Sequence, residues 1–251
     1  MPTTRRDFAK NAIAATAGFS LPAFAMAGNR TAAKKMKIVC VGGHPDDPES
    51  GCGGTLIKLV AAGSEVTIIY LTSGEAGIEG KSHAEAAAIR TKEAIAACKI
   101  LNAKPVFAGQ IDGSGVVNNE WVVKMQTLIM NEKPDIVFTH WPLDSHKDHQ
   151  CASLLAMQTW VRSGKAFELY FFEVCVGDQT MSFKPTDYVD ITSTKEQKKN
   201  AVFCHTSQNP PGIYASSDCN HGMMEIFRGI EFNVPAAEAF VRMGDALNFG
   251  R

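Results

Sequence analysis

Two short stretches of the chain concentrate titratable side chains: His44-Pro45-Asp46-Asp47-Pro48-Glu49, and a later segment from His140 to Gln150 that carries Asp144, His146, Asp148 and His149. Adjacent carboxylates repel each other, so a pair of them at the end of an apolar strand asks for a cation. A hydrolytic zinc takes three protein ligands from histidines and carboxylates and keeps one position for water. Bound there, the water falls to a pKa near 7 and becomes a nucleophile at neutral pH. His44 and Asp47 can supply two ligands from one loop. Asp46 lies between them, so its side chain points elsewhere while staying close, placed to take a proton from the water. The third ligand is expected from the second segment. If a helix begins there, His146 and His149 share a face. One of them can bind the metal, while the other faces the substrate and stabilises the oxyanion formed when water attacks a carbonyl. Asp148 can orient a neighbouring histidine.

The elements that must position these residues alternate in type. The sequence predicts buried strands over 36–43, 65–74, 105–109, 134–140, 167–175 and 186–192, rich in β-branched and aromatic residues. Between them, apolar residues at spacings of three and four predict helices over 53–62, 84–103, 118–133, 148–162 and 192–205. Residues 206–233, rich in Pro, Gly, Ser and Asn, read as a long loop region, and 234–243 as a short final helix. Strand–helix alternation predicts an α/β fold: a single Rossmann-like domain over residues 36–251, with a mostly parallel sheet and helices on both faces. Both titratable stretches, together with the loops after the second and third strands, leave the carboxyl ends of strands. That is where such sheets bind ligands. Gly42 and Gly43 would allow a tight turn at the strand end. His140 and Trp141 either close their strand or line the pocket.

At this level of detail the chain resembles a known family. His44-Pro45-Asp46-Asp47-Pro48-Glu49 resembles the HPDDxE motif of the LmbE-like, or PIG-L, zinc-dependent de-N-acetylases, and His146-Lys147-Asp148-His149 resembles their HxDH motif. Leu71-Thr72-Ser73-Gly74-Glu75, Arg90 with Glu93, Asp112-Gly113 and His205-Thr206-Ser207-Gln208 look like further family positions, and the resemblance spans about residues 36–240. It implies that His44, Asp47 and His149 bind Zn2+, with Fe2+ or another divalent metal as a substitute. It also implies that Asp46 is the general base, and that His146 stabilises the oxyanion with Asp148 paired to it. Arg90, Asp112, Glu75 and His205 would lie toward the substrate. The implied reaction removes an N-acetyl group from an N-acetylglucosamine-type sugar or glycoside. Pro48 occupies the motif's variable position and stiffens the loop without touching the ligands.

The remaining features bound the reading. Thr4-Arg5-Arg6-Asp7-Phe8, an Ala-rich apolar stretch and Ala25-Met26-Ala27 resemble a twin-arginine export signal over residues 1–27, followed by a polar lead-in over 28–35. A mature protein cleaved near Ala27 is expected in the periplasm or cell envelope, with no stable membrane insertion. The net charge of −1 gives no sign of nucleic acid as a partner. The expected partner is a small amino sugar, and the sequence leaves the oligomeric state open. Seven cysteines without C-x-x-C spacing do not make a disulfide framework. Two histidines and a carboxylate also form the facial triad of non-haem iron oxygenases, but the strand–helix alternation argues against the small all-β barrel that usually carries it. A non-catalytic sugar- or metal-binding module is the other alternative, and it would have no need to keep Asp46.

Overall fold

A computed structural model describes residues 35–174, 179–215 and 220–244. The expected signal and nearly all of the lead-in lie outside the described residues. The described part comprises β1 (Lys37–Gly42), α1 (Asp47–Ala61), β2 (Glu65–Thr72), α2 (His83–Leu101), β3 (Lys104–Gln110), α3 (Asn119–Asn131), β4 (Ile136–His140), α4 (Lys147–Arg162), β5 (Glu168–Phe172), β6 (Asp187–Asp190), α5 (Lys195–Val202), α6 (Pro210–Ala215), α7 (His221–Phe232) and β7 (Ala237–Arg242).

Successive residues of a strand point to opposite faces, so a strand covered on both sides must be apolar throughout. β1 obeys this. Ile38 and Cys40 face a core shared with Leu56, Ile68, Tyr70, Leu101 and Phe172. Val39 and Val41 face another with Ile69, Leu71, Met125, Leu155 and Phe171. The strand order is β3-β2-β1-β4-β5-β7-β6. β1 to β5 run parallel, and β7 runs antiparallel to both of its neighbours. The chain therefore winds outward in opposite directions from β1 and from β4. The crevice beyond their carboxyl ends is the switch point where this architecture places ligands. The mostly parallel α/β sheet expected from the sequence is the one observed.

Helix ends follow local chemistry. Ser82 and Glu85 form a reciprocal capping box at α2, and Asn118 accepts the Trp121 N–H at α3. α1 begins earlier than its apolar spacing suggests, directly at Asp47, and breaks at Cys52, whose φ of −144° is non-helical. The break frees the amides of Gly54 and Thr55, and the Glu238 carboxylate of β7 accepts both at 2.9 and 2.7 Å.

The C-terminal third departs from its sequence reading. The expected helix over 234–243 is β7, a strand inserted between β5 and β6. Alanine-rich residues favour helix intrinsically, but pairing on both edges and burial of Ala237, Glu238, Ala239 and Phe240 override that preference here. The expected loop over 206–233 holds α6 and α7. α7 escapes a pattern reading because its amphipathicity is inverted. Its buried side includes His221, Glu225 and Arg228, while Met223, Phe227 and Ile230 are exposed, Ile230 at 72%. Charge pairs, together with the buried Met224, hold it down. Arg228 donates to both oxygens of Glu173 at 2.6 and 2.7 Å, and Glu225 lies 3.1 Å from the Lys198 ammonium.

Candidate active site

Loops after β1, β2, β3, β4 and β5, with the 206–221 region, line one cleft of about 460 Å³. The loop after β1 is tightly determined. Neither Gly42 nor Gly43 has a positive φ, so the sequence-based expectation of a special turn is not the reason for glycine. The reason is space. A Cβ at Gly42 would sit 2.6 Å from the Pro48 ring, and one at Gly43 would sit 2.8 Å from the His149 ring. Asp46 instead carries the unusual backbone, with φ at 111°. Backbone strain of this kind persists where surrounding structure over-determines it, as functional sites do.

Asp47 Oδ2 is the hub of the cleft. His44 Nδ1 lies 3.2 Å from it, His149 Nε2 3.2 Å and His140 Nε2 3.4 Å. Among the described residues the candidate metal-holding trios are His44, His146 and His149; Asp47, His140 and His149; and His44, Asp112 and Asp148: each expected ligand belongs to at least one, but His44, Asp47 and His149 are not together in any of them. The far nitrogen of each of the two expected histidine ligands meets a carboxylate. His149 Nδ1 lies 3.2 Å from Asp144, and His44 Nε2 lies 3.1 Å from Asp148 and 3.2 Å from Asp112. Carboxylates behind metal-ligating imidazoles fix ring orientation and raise ligand basicity. The electrostatics agree. Burial opposes a charged imidazole at His149, yet Asp47 and Asp144 lift it to about 9. Burial likewise opposes charge at Asp47, but His149 holds it well below the usual carboxylate range. So dense a set of mutually compensating charges at a buried point is a donor set suited to a divalent cation.

His140 is excluded as a ligand through Nε2 by its hydrogen bond. That nitrogen accepts the Gly43 N–H at 3.0 Å, which puts the ring proton on Nδ1. Burial and the neighbouring His149 push its pKa down to about 4, so it stays neutral.

Asp46 sits beside the hub with a different balance. Burial is the largest influence and pushes its carboxyl up to about 6; Arg90 works against this, while Asp47 adds to it. Arg90 Nη2 donates to Asp46 Oδ2 at 3.1 Å and to the Pro45 carbonyl at 2.6 Å. Two glycines make room for that guanidinium, since a Cβ at Gly74 or Gly77 would collide with it.

His146 is the N-cap of α4, and its Nδ1 accepts the Asp148 N–H at 3.3 Å. The ring is neutral, depressed by burial and then by His44 and His149. With Nδ1 accepting, the proton rests on Nε2. The His146 and His149 rings lie 4.6 Å apart, as a shared helix face requires.

Several expected placements need correcting. The Asp148 side chain is turned not to His146 but to His44, and it also accepts the N–H groups of Gly113 and Gly115 at 2.7 and 3.0 Å. Its carboxyl drops to about 2: burial resists, but the His44 hydrogen bond and these amides outweigh it. His205 does not line the cleft. It is fully buried behind it, 3.3 Å from Glu49, whose other contact is the Tyr70 hydroxyl at 2.6 Å. Glu75 does not line the cleft either; it accepts the amides of Ser73 and Asp112 and so ties two loops together. Arg90 and Asp112 do line it. Glu93 accepts from Thr206 and Ser207 and pins the segment after α5.

Other contributors had weak sequence signals or none. Asp144 stood among the offered residues of the second stretch, but nothing in its spacing distinguished its place behind His149. The wall on the β5 side, formed by Val174, Gln179, Ile213 and His221, comes from segments that read as loop or strand end.

The chain is similar to several known proteins. A model of the PIG-L family, described as GlcNAc-PI de-N-acetylase, matches residues 39–160. Diacetylchitobiose deacetylase of Thermococcus kodakarensis is 31% identical over 193 residues, covering 71% of this chain and 72% of its own. Among solved structures, N,N'-diacetylchitobiose deacetylase from Pyrococcus horikoshii matches with a TM-score of 0.74 at 27% identity, over 84% of each chain. A conserved protein from Thermus thermophilus matches with a TM-score of 0.72 at 29% identity, over 86% of this chain and 99% of that one.

Proposed function

Because this chain belongs to the PIG-L family, we propose that it is a metal-dependent hydrolase that removes the N-acetyl group from an N-acetylglucosamine-type sugar or glycoside. The observation that carries the proposal is the pairing of the Asp47 carboxylate hub, met by His44 and His149, with a partly buried carboxyl, Asp46, beside it. The first three side chains would hold the metal, Zn2+ by the chemistry of the set or another divalent ion. Such an ion, when bound, supplies Lewis acidity that makes water nucleophilic at neutral pH.

The chain's own residues supply the rest. Asp46 accepts the proton of the attacking water. It then returns that proton to the amine nitrogen as the carbonyl carbon–nitrogen bond breaks, leaving acetate and a free amino sugar. Arg90 holds the Asp46 carboxylate in register for both transfers. His146 presents Nε2–H to the oxygen that gains negative charge during attack. Asp144 and Asp148 keep the two metal-binding rings turned inward. Arg90 and Asp112 line the β2–β3 side of the cleft, which supports a role for them beside the sugar.

The test is amine release from N-acetylglucosamine and N,N'-diacetylchitobiose by the chain lacking residues 1–27, with and without added zinc. Asp46→Asn should lose about 10²–10⁴-fold in kcat while still binding metal stoichiometrically. No release from any N-acetyl sugar by the metal-loaded protein would remove the substrate class.

A further inference from the structure

The cleft wall on the β5 side depends on a buried charge cluster outside the catalytic set. Lys198 of α5 is fully buried, and its ammonium lies 2.8 Å from Glu238 and 3.1 Å from Glu225. Glu238 belongs to β7 and caps the second half of α1, across the Cys52 break from Asp47. Glu225 belongs to α7 and also accepts the Tyr214 hydroxyl of α6. α6 contributes Ile213 to the cleft and α7 contributes His221. One buried cation thus ties the helix that begins at Asp47 to the two helices that form the opposite wall. A buried ion cluster contributes little net stability compared with a well-packed apolar replacement. Here it works beside the apolar burial of Met224 and Gly229, while α7 turns Met223, Phe227 and Ile230 outward. Burial and the field of Lys198 also keep His221 neutral, so the wall presents an uncharged imidazole.

We infer that Lys198 is a positioning residue for the proposed hydrolysis: through Glu225 it seats α6 and α7, and so sets the distance of Ile213 and His221 from the metal loop. This inference rests on the reading of the cleft as a hydrolase site. It goes beyond that reading by assigning substrate fit to a residue that never touches substrate. The two arms of the cluster have separable effects. Cutting the Glu225 arm loosens the wall and leaves the metal loop intact. Cutting the Glu238 arm disturbs α1.

The experiment compares Glu225→Gln and Lys198→Met with wild type in the metal-loaded protein, by hydrogen–deuterium exchange without substrate and by steady-state kinetics. Glu225→Gln should raise exchange across α6 and α7 while β1, β4 and α4 keep wild-type protection and metal stays stoichiometric. On N,N'-diacetylchitobiose it should raise KM about tenfold or more with kcat within about threefold, the signature of lost binding that is not specific to the transition state. If Lys198→Met fails to fold, Glu225→Gln decides alone. A uniform rise in exchange over the whole chain, or a lowered melting temperature with KM unchanged, would reduce the cluster to ordinary structural support and overturn the inference. The exchange pattern needs no substrate. Selective loosening in a protein whose wild type releases no amine would therefore sink the hydrolase reading, not the positioning role.

Discussion

At the scale of single residues, the site consists of ligands and of the groups that aim them. His149 cannot serve as a ligand unless its ring stays turned toward Asp47, and Asp144 at Nδ1 is what turns it. Asp144→Asn should lower zinc affinity by roughly 10–100-fold, the usual cost of losing such a partner, as read by competition with a chromophoric chelator. An unchanged affinity would mean that packing alone orients the ring. His205 gives a second handle. Burial disfavours its charged form, but Glu49 outweighs burial and raises its pKa above 6.5. A raised folded-state pKa adds stability that is fully present below the unfolded value of about 6.5. That stability is lost as pH rises through the higher folded value. The difference in denaturation midpoint between wild type and His205→Gln should therefore be larger at pH 6 than at pH 9. A constant difference would show His205 to be neutral in the fold. The proposed ligands could be named from the sequence because each carries its chemistry in its side chain and two of them share one loop. The carboxylate partners were less so: Asp148 was expected beside His146, but the chain turns it onto His44, a contact 104 residues away that no local spacing encodes.

At the scale of elements, the strand-to-helix corner after β1 is the part with least slack. Gly43 is there because the His149 ring and the Asp47 carboxylate occupy the place of a side chain. Gly43→Ala should retain wild-type circular dichroism and lose metal affinity about tenfold or more, since His149 must give way by several tenths of an ångström; calorimetric titration with zinc would show it. The helices and strands of the first 170 residues were readable from periodicity, because each buries an apolar face in the ordinary way. The last part was not. β7 carries two alanines and a glutamate, a helix-like composition, yet the sheet needs a partner for β5 and β6 and takes it. α7 hides its charges and shows its apolar residues, so a reading based on the usual pattern finds only loop.

At the scale of the whole molecule, the chain joins a cleft for a small substrate to an N-terminal stretch that resembles an export signal. The proposed destination is the periplasm or cell envelope. Replacing Arg5 and Arg6 by lysine should abolish export in a cell with a twin-arginine pathway, leaving the uncleaved chain inside; normal export of that variant would refute the signal. The broken helix that carries Asp47 bears on the same route. Its second half is capped by Glu238, 184 residues away from Gly54 in sequence. A growing chain that has emerged only as far as His149 already owns every proposed metal ligand, but the helix behind Asp47 still has open amides at its break. That helix is finished only when β7 has been made. If the site holds a metal as proposed, a stalled nascent chain ending before residue 238 should hold zinc more weakly than one that includes β7.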